Sequence, residues 1–401
     1  MQKEGSPRLL RHHDSSVKGI TFSPRDRYHF ASGGSDGKVC FLVSISILYL
    51  MIHFSLQVNL YSASTGEHLI GYQLQSGNQP RHITGIKYTC DGRRILAATN
   101  ARRMTVLDVD RGEQIQCFDN CAFNARERIP LATDPHCPNL AVCACVNGKG
   151  LTLFDLRMPL PLDFVLDLHS SPIRDITFLG NSWPFLRSHQ SGLVSLSADG
   201  VCKVTTLDGR TLNCFEVGHS ASCIAITPEP FSSTQRSRRN NDVSTGENKD
   251  PSKFASLMVI GGECLSRYRG DTGVIERQEM MKPVVKCFES PPTTPTTSCP
   301  STPTNTPSST PSSIHITRVM YTSNGSLLYA CTNTGVVKRY RRYPDGNHRY
   351  LGDVIHHKGE VYDMDMSPYD EYLVTASRDK HVGLLCLGAP NHGWTGFCEL
   401  T

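Results

Sequence analysis

The chain has 401 residues, enough for a full core, and its 41 Lys and Arg against 37 Asp and Glu leave a net charge of +4. So small an excess excludes the broad basic footprint by which a whole protein grips nucleic acid or an anionic membrane. The 16 Cys contain no Cys-x-x-Cys pair, which removes the usual zinc spacing and leaves them as reduced, small apolar residues. No cofactor is expected.

Residues 1–13 hold no apolar stretch, so no secretory signal is read and a cytoplasmic or nuclear location is expected. Pro7–Arg11 reads as a short strand. His12–Val39 then reads as strand, turn, strand, turn and the start of a third strand. Val17, Ile20 and Phe22 mark the first run, and Ser23-Pro24 with Asp26 makes a tight turn. Tyr28–Ser32 is the second run, and Asp36-Gly37 is a hairpin turn.

Cys40–Leu56 interrupts the third strand with nearly continuous apolar sequence, and Val58–Tyr61 finishes it. Three readings of residues 39–57 stay open. The segment loops out, crosses a membrane at marginal length, or is a retained intron. Val-Cys can be encoded GTATGT and Leu-Gln can end in CAG, the usual intron edges. Removing Val39–Gln57 joins Lys38 to Val58 and leaves the unbroken run GGSDGKVNLYSASTGE.

The same pattern recurs with variations. Ile83–Tyr88, Ile95–Thr99 and Met104–Asp108 make a second copy. Leu140–Val146 and Gly150–Phe154, around Asn147-Gly148, make a third. The fourth has Ile173–Phe178, Gly192–Ser197 and Val201–Leu207. The fifth has Cys223–Thr227, Leu257–Gly261 and Cys264–Tyr268, interrupted by the polar run 232–253. The sixth opens at Val284–Phe288, is broken by 290–313, and resumes with Ile316–Tyr321, Ser326–Cys331 and Gly335–Tyr340. Both interrupting runs have compositions of disordered loops. His356–Leu385 is the seventh, and residues 389–401 are a tail.

The last copy matches the first without a gap as far as the tyrosine, and one residue of slack then enters before Asp36 and Asp379. His13 and His357, Val17 and Val361, Asp26 and Asp370, and Tyr28 and Tyr372 are all 344 positions apart. A three-stranded unit cannot bury both faces alone, so copies must stack as an array.

The motif of a His, an apolar strand closing in Ser-Pro-Asp, a small-residue strand with Ser and an Asp in the next turn resembles the WD-repeat family. That resemblance implies an all-β, seven-bladed WD-repeat β-propeller over residues 7–388 with disordered loop insertions. It also implies that the N-terminal strand completes the final blade. Within each blade it implies a hydrogen-bonded network of His, Ser and Asp with a Trp on the third strand. His13, Ser32 and Asp36 match, with Tyr61 at the Trp position. His169, Ser197 and Asp199 match in the fourth copy, and His357, Ser377 and Asp379 in the seventh.

These His, Ser and Asp sets recur at repeat spacing, so they read as structure and not as a hydrolytic triad. A non-enzymatic scaffold or adaptor holding other proteins on its faces is the expected function. Phe154-Asp155-Leu156-Arg157 resembles the Trp-Asp-x-Arg ending by which some WD-repeat proteins dock onto the adaptor of cullin-type ubiquitin ligases, with Phe in place of Trp. Ser290, Thr294, Thr302, Thr306 and Thr310 each precede Pro and are candidate sites for proline-directed kinases. Lys338–Tyr343 is a basic run with interleaved tyrosines, the feature behind a ribonucleoprotein alternative. Its alternate side chains are expected to point opposite ways on a strand. Arg236–Arg239 reads as loop charge.

Overall fold

Short runs of β-branched and aromatic residues, divided by Ser-Pro, Asp-Gly and Asn-Gly turns, favour strands. Among the described residues of the computed structural model there are only strands and turns, with no helix. The described residues are 6–36, 56–64, 68–74, 82–123, 128–180, 183, 186, 192–228, 257–269, 273–278, 313–343 and 346–388.

A short strand, β1 (Arg8–Leu10), precedes the first sheet. That sheet is β2 (Val17–Phe22), β3 (His29–Gly34), β4 (Leu56–Ser62) and β5 (His68–Leu74). The second is β6 (Ile83–Tyr88), β7 (Arg94–Thr99), β8 (Arg103–Asp108) and β9 (Glu113–Phe118). The third is β10 (Leu131–Thr133), β11 (Leu140–Ala144), β12 (Leu151–Asp155) and β13 (Asp163–Val165). The fourth is β14 (Ile173–Leu179), β15 (Gly192–Ser197), β16 (Val201–Thr206) and β17 (Thr211–Glu216). The fifth is β18 (Ala221–Ile226), β19 (Leu257–Gly262), β20 (Leu265–Arg269) and β21 (Ile275–Gln278). The sixth is β22 (Ile316–Tyr321), β23 (Leu327–Thr332), β24 (Val336–Arg342) and β25 (His348–His356). Last come β26 (Val361–Met366), β27 (Tyr372–Ser377) and β28 (Val382–Cys386), and β1 pairs with β28, Arg8 opposite Leu384 and Leu10 opposite Val382.

The described residues thus form seven four-stranded antiparallel sheets. The first strands of successive sheets touch in chain order from β2 to β26, and β26 touches β2 again, which closes a β-propeller ring. Apolar faces meet between neighbouring sheets. Ala31 packs with Ile83, Ile86 and Leu107 between the first and second. Leu10, Val17 and Phe30 pack with Val374 and Val382 where the last meets the first. β2, β15 and β19 are buried at every position, because both faces of an inner strand are covered. The sheets approach closely where glycine allows it. A Cβ on Gly33 would stand 2.7 Å from Ile83 Cγ2, and one on Gly261 would stand 2.7 Å from Ile316 Cγ2.

The innermost strands raise a hydrogen-bonding question, because their inner backbone edge has no strand partner. Side chains from adjoining sheets supply bonds there. Thr21 Oγ1 accepts from the Tyr88 amide, and Thr133 Oγ1 donates to the Tyr88 carbonyl. Asp175 accepts from the Ile224 amide, Asp363 from the Ile20 amide and Asp365 from the Phe22 amide.

β4 runs without a break from Leu56 to Ser62, so Leu56 and Gln57, which the sequence placed inside the interrupting segment, are strand. Residues 37–55 lie outside the described residues, as do Val284–Phe288, the run 232–253, residues 290–312 and the tail 389–401.

Candidate functional site

The His network comes first, because it decides whether those residues are available for chemistry. His13 lies in the connection before β2. Its Nδ1 is 2.9 Å from Asp36 Oδ2, and its Nε2 is 2.8 Å from Ser32 Oγ on β3. The last sheet repeats this with one change. His357 Nδ1 is 3.0 Å from Asp379, but Nε2 meets Thr375 Oγ1 at 2.8 Å and not Ser377. Ser377 donates instead to the Gly359 and Glu360 carbonyls. The fourth sheet makes the same shift. His169 Nε2 meets Ser195 Oγ at 2.7 Å, while Ser197 donates to Asp199.

Both corrections have one cause. The residue reached by the His lies four positions before the turn Asp, as Ser32 does, and Ser197 and Ser377 lie only two before it. Residues two apart share a face of a strand, so sequence pattern alone does not separate them. In the fourth sheet Asp199 is bonded by Ser197, Ser170 and the Val201 amide, and His169 Nδ1 finds no hydrogen-bond partner among the described residues. Burial, with Lys203 nearby, pushes the His169 pKa down to about 4. Tyr61 lies on β4 opposite Phe30, and its side chain is outside the described residues. These sets hold β-sheet to turn inside each blade. Thr375→Val should cost about 1–3 kcal/mol in urea unfolding, because a buried ring nitrogen of His357 loses its partner.

A second cluster, not anticipated from the sequence, sits on the inner strands. Arg128 Nη2 lies 2.8 Å from Asp175 Oδ1 on β14. Arg318 on β22 reaches Asp175 Oδ2 at 2.5 Å and Asp363 Oδ1 on β26 at 3.2 Å. The fourth, sixth and seventh sheets and the connection before β10 are thereby joined across the middle of the ring. The four side chains are between 2% and 11% exposed. Burial opposes ionisation of Asp175, but Arg318 and Arg128 more than offset it and hold its carboxyl below the usual range. Asp175, Arg318 and Asp363 each follow the same irregularity of strand pairing, after Ile173, Ile316 and Val361. A charge at one recurring position of an otherwise apolar inner strand is the signal that could have found them.

Phe154-Asp155-Leu156-Arg157 closes β12. Phe154 is fully buried, its ring 5.0 Å from that of Phe118. Asp155 Oδ1 accepts from the backbone amide and the Nε of Arg157, at 3.0 and 2.9 Å. The hydrogen bonds from Arg157 hold the Asp155 carboxyl below its ordinary value. The Arg157 side chain itself is 68% exposed. Directly after it come the exposed apolar side chains Met158, Leu160 and Leu162.

The basic run lies on β24, which continues through Arg342. Lys338 and Tyr340 turn toward the fifth sheet. Lys338 pairs with Asp353 at 3.1 Å, and Tyr340 meets Tyr350 edge to face. Arg339 and Arg341 take the opposite face. The candidate phosphorylation sites Ser290, Thr294, Thr302, Thr306 and Thr310, and Arg236–Arg239, fall outside the described residues.

Comparison with known proteins agrees with this geometry. The family model described as WD domain, G-beta repeat, matches residues 6–41 and 349–384, the two ends of the ring. Among solved structures, that titled "Structure of U3-55K" is similar with a TM-score of 0.64 at 12% identity, over 95% of this chain and 98% of that one. A crystal structure of RRP9 WD40 repeats gives 0.63 at 12% identity, over 96% and 99%. A chain of a mitotic checkpoint complex gives 0.63 at 11%, over 96% and 94%. At these identities the likeness is one of fold. No curated protein sequence matches the chain.

Proposed function

From a chain that carries WD repeats at both ends and folds as their β-propeller, we propose a scaffold that binds other proteins on the surfaces of a seven-bladed ring. The reading assigns it no catalytic step. Its recurring His, Ser and Asp side chains bond within their own sheets, and its buried charges neutralise one another at the centre. The observation that carries the proposal is the group of exposed apolar side chains Met158, Leu160 and Leu162 beside Arg157. Large apolar side chains gathered on a surface mark contact sites, and WD-repeat propellers typically bind other proteins.

Affinity purification of the intact chain with mass spectrometry tests it, comparing wild type with Leu160→Asp. Loss of a set of partners in the variant, at unchanged melting temperature, supports the reading. An identical partner set overturns it for this surface.

One finer reading has its own support. The Asp155–Arg157 pair is preorganised by three direct hydrogen bonds to the carboxylate and stands beside that apolar group. This arrangement favours docking on the adaptor of a cullin-type ubiquitin ligase. Arg157→Ala should abolish adaptor capture while shifting unfolding by less than about 0.5 kcal/mol, since the side chain is on the surface. Undiminished capture would sink it. Phosphorylation of the Ser/Thr-Pro sites in 290–313 is part of the same proposal, as a means of regulating partners, and phosphopeptide mapping of purified protein reads it directly.

A further inference from the structure

The sixth sheet carries a second surface, of different character. Arg341 on β24 stands directly opposite Arg349 on β25. Both are exposed. Like charges directly opposite on neighbouring strands destabilise a sheet, and neither side chain has an ion-pair partner among the described residues. Arg339, two residues before Arg341, shares that face and is half-buried. Opposite Arg339 is Gly352, at a φ of 150° and with nothing within 4 Å of where a Cβ would be. The three arginines therefore border an open place on the sheet.

Three described acids of this sheet and the next are engaged elsewhere. Asp353 lies on the other face, bound to Lys338 and to the Tyr350 hydroxyl at 2.7 Å. Asp370, close enough to Tyr329 to raise its pKa after burial does, accepts from the Ser323 amide and hydroxyl. Glu371 pairs with Arg27. None of these acids answers the charge of Arg341 or Arg349.

The second half of the argument is backbone. β25 is the outer strand of its sheet and, at nine residues, the longest among those described. Its far edge has no strand partner among the described residues. An unpaired edge is a template for an incoming extended chain. In such a strand alternate side chains would lie on the arginine face.

We propose that this edge takes up an extended acidic peptide from a partner protein, paired along β25, with carboxylates on the arginine face meeting Arg349 and Arg341. Arginine and carboxylate pair as two parallel hydrogen bonds, which fixes register as well as adding attraction. The free edge favours a peptide over a nucleic acid, because only a peptide can use backbone amides and carbonyls along the strand. Exposed Leu351, the residue left over where the β24–β25 register shifts, offers an apolar contact beside the charges. This inference rests on the scaffold reading, but on another sheet from Arg157, so the two fail separately.

The test uses the full chain and a labelled eight-residue peptide of alternating Val and Glu, with alternating Val and Lys and a ten-nucleotide poly-U RNA as controls. Saturable binding of the Glu peptide alone is expected, weakening with added salt. Arg341→Ala with Arg349→Ala should weaken it by about tenfold or more. The same double variant should melt no earlier than wild type, since it removes a repulsion and not a contact. Bound peptide should slow hydrogen exchange of β25 amides, which a merely electrostatic encounter would leave unchanged. No binding, binding that survives the double substitution, unaltered exchange on β25, or preference for the RNA would each overturn the proposal.

Discussion

Asp175→Ala should lower the melting temperature by roughly 5 °C, the largest effect of any single side chain discussed above. The carboxylate joins Arg128 and Arg318 and also accepts from the Ile224 amide. Removing it leaves two buried guanidinium groups short of a counter-charge and one inner backbone amide unpaired. Breaking a buried ion pair in this way costs about 3–5 kcal/mol. Asp175→Asn keeps the shape and an acceptor, so it should fall between the two. The pH dependence follows from sign. The folded carboxyl titrates below its ordinary value, so its contribution is complete above about pH 4 and is lost as pH falls through the folded pKa. Stability of the Asn variant should therefore fall less steeply with acid than that of wild type. Thermal melts across that range measure both, and parallel acid limbs would contradict the assignment.

Deletion of Val39–Gln57 should leave a folded ring that is more stable by about 2 kcal/mol, from loop-closure entropy alone. The reason lies in register. Ser32 stands opposite Asn59, which puts Gly34 across from Gln57. With the segment removed, Lys38 takes the place of Gln57, and β3 and β4 are joined by Ser35-Asp36-Gly37. The same three-residue connection occurs as Ala198-Asp199-Gly200 between β15 and β16, and as Asn333-Thr334-Gly335 between β23 and β24. The shortened turn keeps Asp36, so the bond from His13 is retained. Urea unfolding of the two chains side by side checks this. A less stable deletion would mean that residues 39–57 contribute contacts of their own. Sequencing of spliced transcripts asks the matching question of the gene.

Much of the ring is legible in the chain, and the unreadable parts have physical reasons. Many first, second and third strands announce themselves as mostly buried runs of apolar and small residues, as β7 and β15 do. The fourth strands give no such signal. β9 and β17 are half exposed, with patterns such as Glu113–Phe118 that read as polar sequence. The His and the turn Asp of the first and last networks were readable, since sequence distance alone relates them. The hydroxyl partner was not, because Ser195 and Ser197, or Thr375 and Ser377, share a face and only the depth of the His ring chooses between them. The central ion cluster joins residues from 128 to 363, and only ring closure brings them together. Arg341 and Arg349 were invisible as a pair because β25 itself was not read as a strand, although the hairpin after Arg342 sets their register.

The pairing of β1 with β28 has a consequence for synthesis. Arg8–Leu10 is made before any of the sheets, yet its strand partner among the described residues emerges after every other sheet has been made. Until then the seventh sheet is incomplete, and the sheets already made remain an open arc with apolar faces bare at both ends. A nascent chain of this design is vulnerable from the first sheet to the last, so chaperone engagement is expected to fall only once Cys386 has cleared the ribosome.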